Sequence, residues 1–162
     1  MFDKIAVPGG TIHLRPARPG DDAFLFELFR DYSTGVLKLG RLSDQKIDEL
    51  LTTQFASRTR SFRERFPRAS WSIVELAGAP IGELIVDEDA NTICIIDIAL
   101  RPEYQRQGIG SAIVRALAAA AGEGGLSAMV LMTNATSLSM FRRLGFADTG
   151  HDNAYIELRW RP

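Results

Sequence analysis

The sequence has one cysteine, Cys94, and two histidines, His13 and His151. One thiol makes no internal disulfide, and neither histidine stands at metal-ligand spacing from another ligand, so no metal is expected. Cys94 is read as a small apolar residue buried in a strand. Long hydrophobic runs are missing too. No stretch reaches the roughly 18 apolar residues of a membrane span, and residues 1–10 lack the basic start and apolar stretch of a secretory leader. The cytoplasm is the default expectation, with no membrane partner. A charge excess of one sign is also lacking: Lys plus Arg number 19 against 20 Asp plus Glu, a net −1. That balance removes the broad attraction on which non-specific binding to nucleic acid or anionic lipid depends, so no nucleic-acid partner is expected and a small-molecule partner is favoured. No repeat, low-complexity tract or linker interrupts the 162 residues, enough for one core and not two, so residues 1–162 are expected to form one domain.

What is present reads as alternating helices and strands. Residues 11–15 are strand-like and stop at Pro16, and Pro19-Gly20-Asp21-Asp22 gives a turn with an acidic helix start. Phe24, Leu25, Leu28 and Phe29 then repeat at helical spacing to about Tyr32, with Glu27 and Arg30 on the wetter side. After a loop over 35–41, Ser43 looks like the cap of a second helix. Ile47, Leu50, Leu51, Phe55, Phe62 and Phe66 form its apolar stripe, and Pro67 ends it. Arg58, Arg60, Arg63, Arg65 and Arg68 spread around this segment and read as a solvated face. Residues 71–76 and 80–86 flank Ala77-Gly78-Ala79 and predict a hairpin. Residues 92–100 are apolar on both faces, as in a strand at the centre of a sheet. A helix over 108–122, a strand over 128–132, a helix over 137–144 closed by Gly145, and a last strand over 155–160 complete the order. The expected architecture is α/β, a mixed, mostly antiparallel sheet of about six or seven strands flanked by about four helices.

The informative stretch runs from Asp97 to Ala112, a strand, a turn, then glycines opening a helix. A helix N-terminus leaves backbone N–H groups unpartnered and carries partial positive charge, and Gly108 and Gly110 let an anion approach with no Cβ in the way. Glycines also simply permit a sharp strand-to-helix turn, so two of them do not decide the matter. Neither common rival phosphate motif fits: Ile113 stands where a dinucleotide fingerprint wants a third Gly or Ala, and the Gly-Lys-Ser/Thr of a P-loop is absent.

Gln105-Arg106-Gln107-Gly108-Ile109-Gly110 resembles the Gln/Arg-x-x-Gly-x-Gly/Ala signature of the GCN5-related N-acetyltransferase family. Residues 134–141 with Leu144-Gly145-Phe146 are similar to its second motif, Asn-x-x-Ala-x-x-x-Tyr followed by Leu-Gly-Phe, except that Ser137 replaces Ala and Phe141 replaces Tyr. Residues 14–21 look like the family's first strand and turn. The resemblance implies an N-acetyltransferase that uses acetyl-coenzyme A as co-substrate and passes the acetyl group to a primary amine by direct attack. It implies that backbone groups of Ile98, Ala99 and Leu100 pair with the pantetheine arm like an added strand, and that the loop at Gln105, Arg106, Gln107, Gly108, Ile109, Gly110 and Ser111 holds the pyrophosphate. Asn134 is expected on the same arm, with a helix cap as its plainer role. The side chain at 141 is expected to point toward the coenzyme's sulfur.

The transfer needs a neutral amine, donors for the developing oxyanion and a proton for the departing thiolate. Asp97 is the leading base candidate because it interrupts an apolar strand, where an unpaired carboxylate is costly. A hydrogen bond to a neighbouring loop or arginine explains it equally well. Glu83, on the preceding strand, is the second candidate. Phe141 has no proton to give, so the acid is missing, with Tyr155 and Ser139 as conceivable substitutes. The departure at 141 also keeps open a second class, a catalytically weak or inactive acyl-coenzyme A-binding or regulatory module of the same fold. The acceptor is not legible, and a homodimer is compatible with everything above.

Overall fold

The computed structural model describes residues 3–37, 42–89 and 91–162. Its elements follow the apolar periodicity closely. Strands β1 (Lys4–Val7) and β2 (Gly10–Pro16) lead through a 3-10 turn at Pro19–Asp21 into helix α1 (Asp22–Leu37). Arg15 fixes that entry by gripping both oxygens of Asp21 at 2.8 Å. Helix α2 (Asp44–Arg65) begins where expected, with the Ser43 side chain accepting from the Lys46 amide at 3.4 Å. Strands β3 (Ser70–Leu76) and β4 (Ala79–Glu88) form the hairpin, and β5 (Ile93–Leu100) follows. Ala77 and Gly78 both carry positive φ, the geometry of a tight two-residue hairpin turn. Helix α3 (Ile109–Ala120), strand β6 (Leu126–Leu131), helix α4 (Ala135–Arg143), and strands β7 (Ala147–His151) and β8 (Tyr155–Trp160) complete the chain.

The sheet has eight strands in the order β1-β2-β3-β4-β5-β6-β8-β7, more than the six or seven expected. The two extra strands lie at its edges. β1 is a short hairpin arm, and β7 is exposed throughout, so neither needed the apolar alternation by which strands are recognised. Helix α1 also runs past Tyr32 and through Gly35, and residues 38–41 of the expected loop lie outside the described residues. Among the described residues, every strand pair is antiparallel except β5 with β6.

Two packing faces follow from the register, because residues directly opposite each other on neighbouring strands share a face. Toward α3 and α4, Ile12, Leu14, Val74, Leu84, Val86, Ile93, Ile95 and Ala128 pack with Ile109, Ile113, Val114, Leu117, Leu138 and Phe141 into one apolar cluster. Toward α1 and α2 lie the register pairs Ile73 with Glu83, Glu83 with Ala99, and Ile85 with Asp97. Phe62 of α2 covers Trp71 there at 6.5 Å between ring centroids. Arg101, just after β5, reaches Glu27 of α1 at 3.1 Å and lies 5.1 Å from the Phe24 ring centroid, tying the start of α1 to the end of the central strand. Among the described residues, no helix is long and apolar enough to cross a membrane.

Candidate active site

The site begins with a split in the sheet. β5 pairs with β4 along its whole length, Ile93 to Leu100, but with β6 only from Ile93 to Ile95. β6 continues beside β8 as far as Leu131 opposite Tyr155. Past Ile95 the two parallel strands have separated, so Asp97, Ile98, Ala99 and Leu100 border a cleft whose other bank is the end of β6, Asn134 and Tyr155. The ladder shifts register where Ile96 is inserted opposite the Ile85/Val86 step of β4, a bulge that re-aims the rest of β5. Across the hairpin, a Cβ at Gly82 would lie 2.3 Å from the Ala99 carbonyl oxygen, so only glycine admits the close approach of β4 to β5 at the split.

A loop closes one end of the cleft. After the turn at Pro102–Tyr104, the Gln105 side-chain amide donates to the Leu100 carbonyl at 2.8 Å, and that of Gln107 donates to the Glu103 carbonyl at 2.6 Å. Both glutamine side chains therefore brace the loop itself, and the backbone is what it presents outward. Gly108 caps α3 with φ +81°, a conformation that disfavours any side chain, and Ala112 N–H closes the first helical bond on its carbonyl at 2.9 Å. Among the described residues, the amides of residues 106–111 have no protein acceptor. Arg106 adds a cationic side chain at φ +58°. Amides gathered at a helix start suit an anion.

Asn134 caps α4, its side-chain oxygen accepting from the Ser137 amide at 3.1 Å. The helix-cap role is thus realised. Phe141 departs from expectation. Its ring is 1 % exposed and packs edge-on against Phe146 at 5.0 Å, so it belongs to the core and does not line the cleft. The i, i+4 relation to Ser137 holds, but α4 turns that face onto the sheet. Ser139 is exposed and accepts from Arg143 at 2.9 Å, while Tyr104 packs on the core. Cys94 is half-buried, and burial pushes its thiol pKa up.

Asp97 and Glu83 come together with a residue that the sequence pattern left on a solvated face. Arg58 of α2 reaches Glu83 Oε1 at 2.8 Å and also bonds Asp97 Oδ2 through the same nitrogen. Its guanidinium lies 4.9 Å from the Phe62 ring centroid and 5.8 Å from that of Phe29. The Arg58 side chain is 18 % exposed, Glu83 5 % and Asp97 28 %, so Asp97 is the member that looks into the cleft. Burial, then the Asp97 charge, pushes the Glu83 pKa up to about 8 against the pull of Arg58. Asp97 is therefore both cleft-facing and held by an arginine. The signal for Arg58 was in the spacing: Leu51, Phe55, Arg58 and Phe62 recur every three or four residues, which puts a cation inside the apolar stripe.

The acetyltransferase (GNAT) family model matches residues 24–146, from the first covering helix to the end of the second motif. The chain belongs to that family. Among solved structures, the PaiA N-acetyltransferase of Thermoplasma acidophilum in complex with coenzyme A is similar at 17 % identity and TM-score 0.68, covering 93 % of this chain and 99 % of that one. An acetyltransferase from Thermus thermophilus is similar at 20 % identity and TM-score 0.65, with 93 % and 97 % covered. A GNAT family acetyltransferase from Elizabethkingia anophelis with acetyl-CoA bound has 17 % identity and TM-score 0.58, with 93 % and 98 % covered. No curated protein matches the chain in sequence.

Proposed function

We propose that this protein is an N-acetyltransferase that takes the acetyl group of acetyl-coenzyme A and transfers it to a primary amine by direct attack, acting in the cytoplasm. The observation that carries the proposal is the split between β5 and β6, which ends on the acceptor-less amides of residues 106–111 at one end and opens on Asp97 at the other. Coenzyme A and acetyl-CoA in two of the similar structures support the same ligand here. The pyrophosphate sits on the amides of residues 106–111, and the pantetheine amides pair with the free edge of Ile98, Ala99 and Leu100 as an added strand.

The acceptor enters from the α1/α2 side. A primary amine is mostly protonated near neutrality, and attack needs its lone pair. Asp97 receives the proton, and Glu83, buried behind it, is the second carboxyl through which that proton is shared. Arg58 orients both carboxyls and keeps the buried pair from carrying an uncompensated charge. The bulge at Ile96 frees a β5 amide from the ladder, a donor for the oxyanion of the tetrahedral intermediate.

A coenzyme A release assay over a panel of primary amines, beside an acetyl-coenzyme A titration, tests this reading. The expected result is saturable binding with turnover of at least one amine, and an Asp97→Asn variant that binds the coenzyme normally while kcat falls roughly 10²–10⁴-fold. Unchanged kcat would remove Asp97 from the chemistry. Phe141 in place of the family's tyrosine supports a second reading, a binding module without catalysis. Tight binding with no turnover of any amine would select it.

A further inference from the structure

Coenzyme A carries a phosphate on the 3′ carbon of its ribose, apart from the pyrophosphate that the amides of residues 106–111 hold in the reading above. Two arginines stand where that group would arrive. Helices α3 and α4 run side by side away from the loop. At the loop, a Cβ at Gly110 would lie 3.4 Å from Met140 Sδ. Further along, Arg115 and Ala118 of α3 line a hollow of about 280 Å³ together with Leu144, the residue that ends α4. These contacts mark a seam between the two helices that begins at the amides. Arg143 follows Met140 by three residues, about 60° round the helix toward solvent, so it overlooks the seam from α4. Arg115 overlooks it from α3. Arg142 is turned to the opposite flank of α4, where it holds Asp148 at 2.7 and 3.1 Å.

The charges on this seam are not balanced from within the chain. Neither α3 nor α4 contains an acidic residue. Arg15, Arg30, Arg58, Arg101, Arg142 and Arg159 each hold a carboxylate, whereas among the described residues neither Arg115 nor Arg143 reaches one. Both side chains are exposed. Arg143 donates to Ser139 Oγ at 2.9 Å, a bond that turns its guanidinium back along α4 to the level of Met140, and so of the loop. Arg115 stands five residues beyond Gly110, about 7.5 Å along α3. A ribose whose 5′ side is anchored at the amides carries its 3′-phosphate one sugar away, within reach of both side chains.

We propose that Arg143 and Arg115 form a subsite for the coenzyme's 3′-phosphate, astride the seam of α3 and α4. The inference rests on the acetyl-coenzyme A reading above and gives that site a selectivity its amides lack. Amides at a helix start receive the pyrophosphate of any nucleotide. Two guanidinium forks match the oxygens of a terminal phosphate and distinguish coenzyme A from its 3′-dephospho form.

Calorimetric titration of coenzyme A and of 3′-dephospho-coenzyme A tests the subsite without knowledge of the acceptor. The proteins are wild type, Arg143→Gln, Arg115→Gln, the double variant, and Arg142→Gln as a cation of the same helix on the other flank. Wild type is expected to prefer coenzyme A about tenfold or more, by a factor that shrinks as salt is added. Each single variant cuts the preference severalfold and the double variant abolishes it, while the dephospho compound binds all five proteins alike and Arg142→Gln keeps the preference. Ligand-free melting of the double variant is expected to match wild type, because both side chains are exposed, so the loss is one of binding and not of fold. A preference absent from wild type, or surviving in the double variant, overturns the subsite and leaves the acetyltransferase reading standing. So does an equal loss in Arg142→Gln, which would trace the preference to overall charge, or a double variant that loses affinity for both compounds alike. Failure of wild type to bind either compound overturns that reading, and the subsite with it.

Discussion

The two faces of the sheet solve different problems. The face under α3 and α4 is apolar through the middle of the sheet, and the loop before α3 offers backbone amides. The face under α1 and α2 holds a guanidinium between a buried carboxyl, Glu83, and a half-buried one, Asp97, and offers side chains. Backbone recognition is written into contiguous residues, since one loop and one helix start suffice. Side-chain recognition is assembled from distant ones: Arg58 lies 25 residues from Glu83 and 39 from Asp97. The first face is expected to tolerate any change that keeps volume and backbone geometry. The second depends on a charge balance that one substitution can upset.

Arg58→Met is therefore expected to give the largest effect. Removing one partner of a buried ion cluster costs about 3–5 kcal/mol, because the remaining charge is left without compensation. The loss should depend on pH through Glu83, whose folded-state pKa of about 8 stands above its ordinary 4.5. Between those values the folded chain holds a proton that the unfolded chain has released. This contribution is full below pH 4.5 and disappears as pH rises through 8. Chemical denaturation from about pH 4 to about pH 9 should show stability sloping downward over that window in wild type and a flatter profile in Glu83→Gln. In Arg58→Met the window should move to higher pH, since the pull that lowers the Glu83 pKa is gone. A Glu83→Gln profile parallel to wild type would mean that Glu83 is ionised throughout.

On the other face, Gly108→Glu probes the loop. The side chain would stand at a left-handed position and bring negative charge to the acceptor-less amides. Wild type at about 100 times its Kd for acetyl-coenzyme A gains about 2.7 kcal/mol, read as a rise in melting temperature, and the variant should show none of it. Melting of the ligand-free variant separates lost binding from lost fold. A normal ligand shift in Gly108→Glu would move the phosphate site elsewhere.

This contrast explains what was legible in the sequence. The loop from Gln105 to Ser111, the Ser43 and Asn134 caps, the central strand and its pairing with β4 all follow from local pattern. The edge strands β1 and β7 escaped because little of their surface is buried. Arg58 escaped because its arginine neighbours suggested a wet face, although its place among Leu51, Phe55 and Phe62 argued otherwise. Phe141 was placed by motif alignment at the cleft, where only the packing of α4 could show that the ring turns inward.

Phe141→Tyr sharpens the same contrast at intermediate size. The ring sits in the apolar cluster against Phe146, so the added hydroxyl is buried without a polar neighbour and is expected to cost about 1–3 kcal/mol. Turnover should not rise. An accelerated variant of undiminished stability would show that position 141 reaches the sulfur after all.

The smallest effect is expected at Arg106, which contributes to the loop in two opposed ways. Its exposed guanidinium adds a cation beside the amides, an attraction that salt screens over a Debye length of about 10 Å at 0.1 M. Its backbone, at φ +58°, holds a left-handed conformation that costs a non-glycine residue about 1 kcal/mol. Arg106→Ala removes the charge and keeps the strain. Arg106→Gly removes both, so its stability should be equal to or above that of Arg106→Ala. Both variants should weaken acetyl-coenzyme A binding by the same few-fold factor at low ionic strength, and the loss should shrink as salt is added. Equal losses with unequal melting temperatures would assign the charge to the ligand and the strain to the chain. If Arg106→Gly binds far more weakly than Arg106→Ala, what matters is the shape in which the loop is held, and its amides owe their alignment to the strained residue.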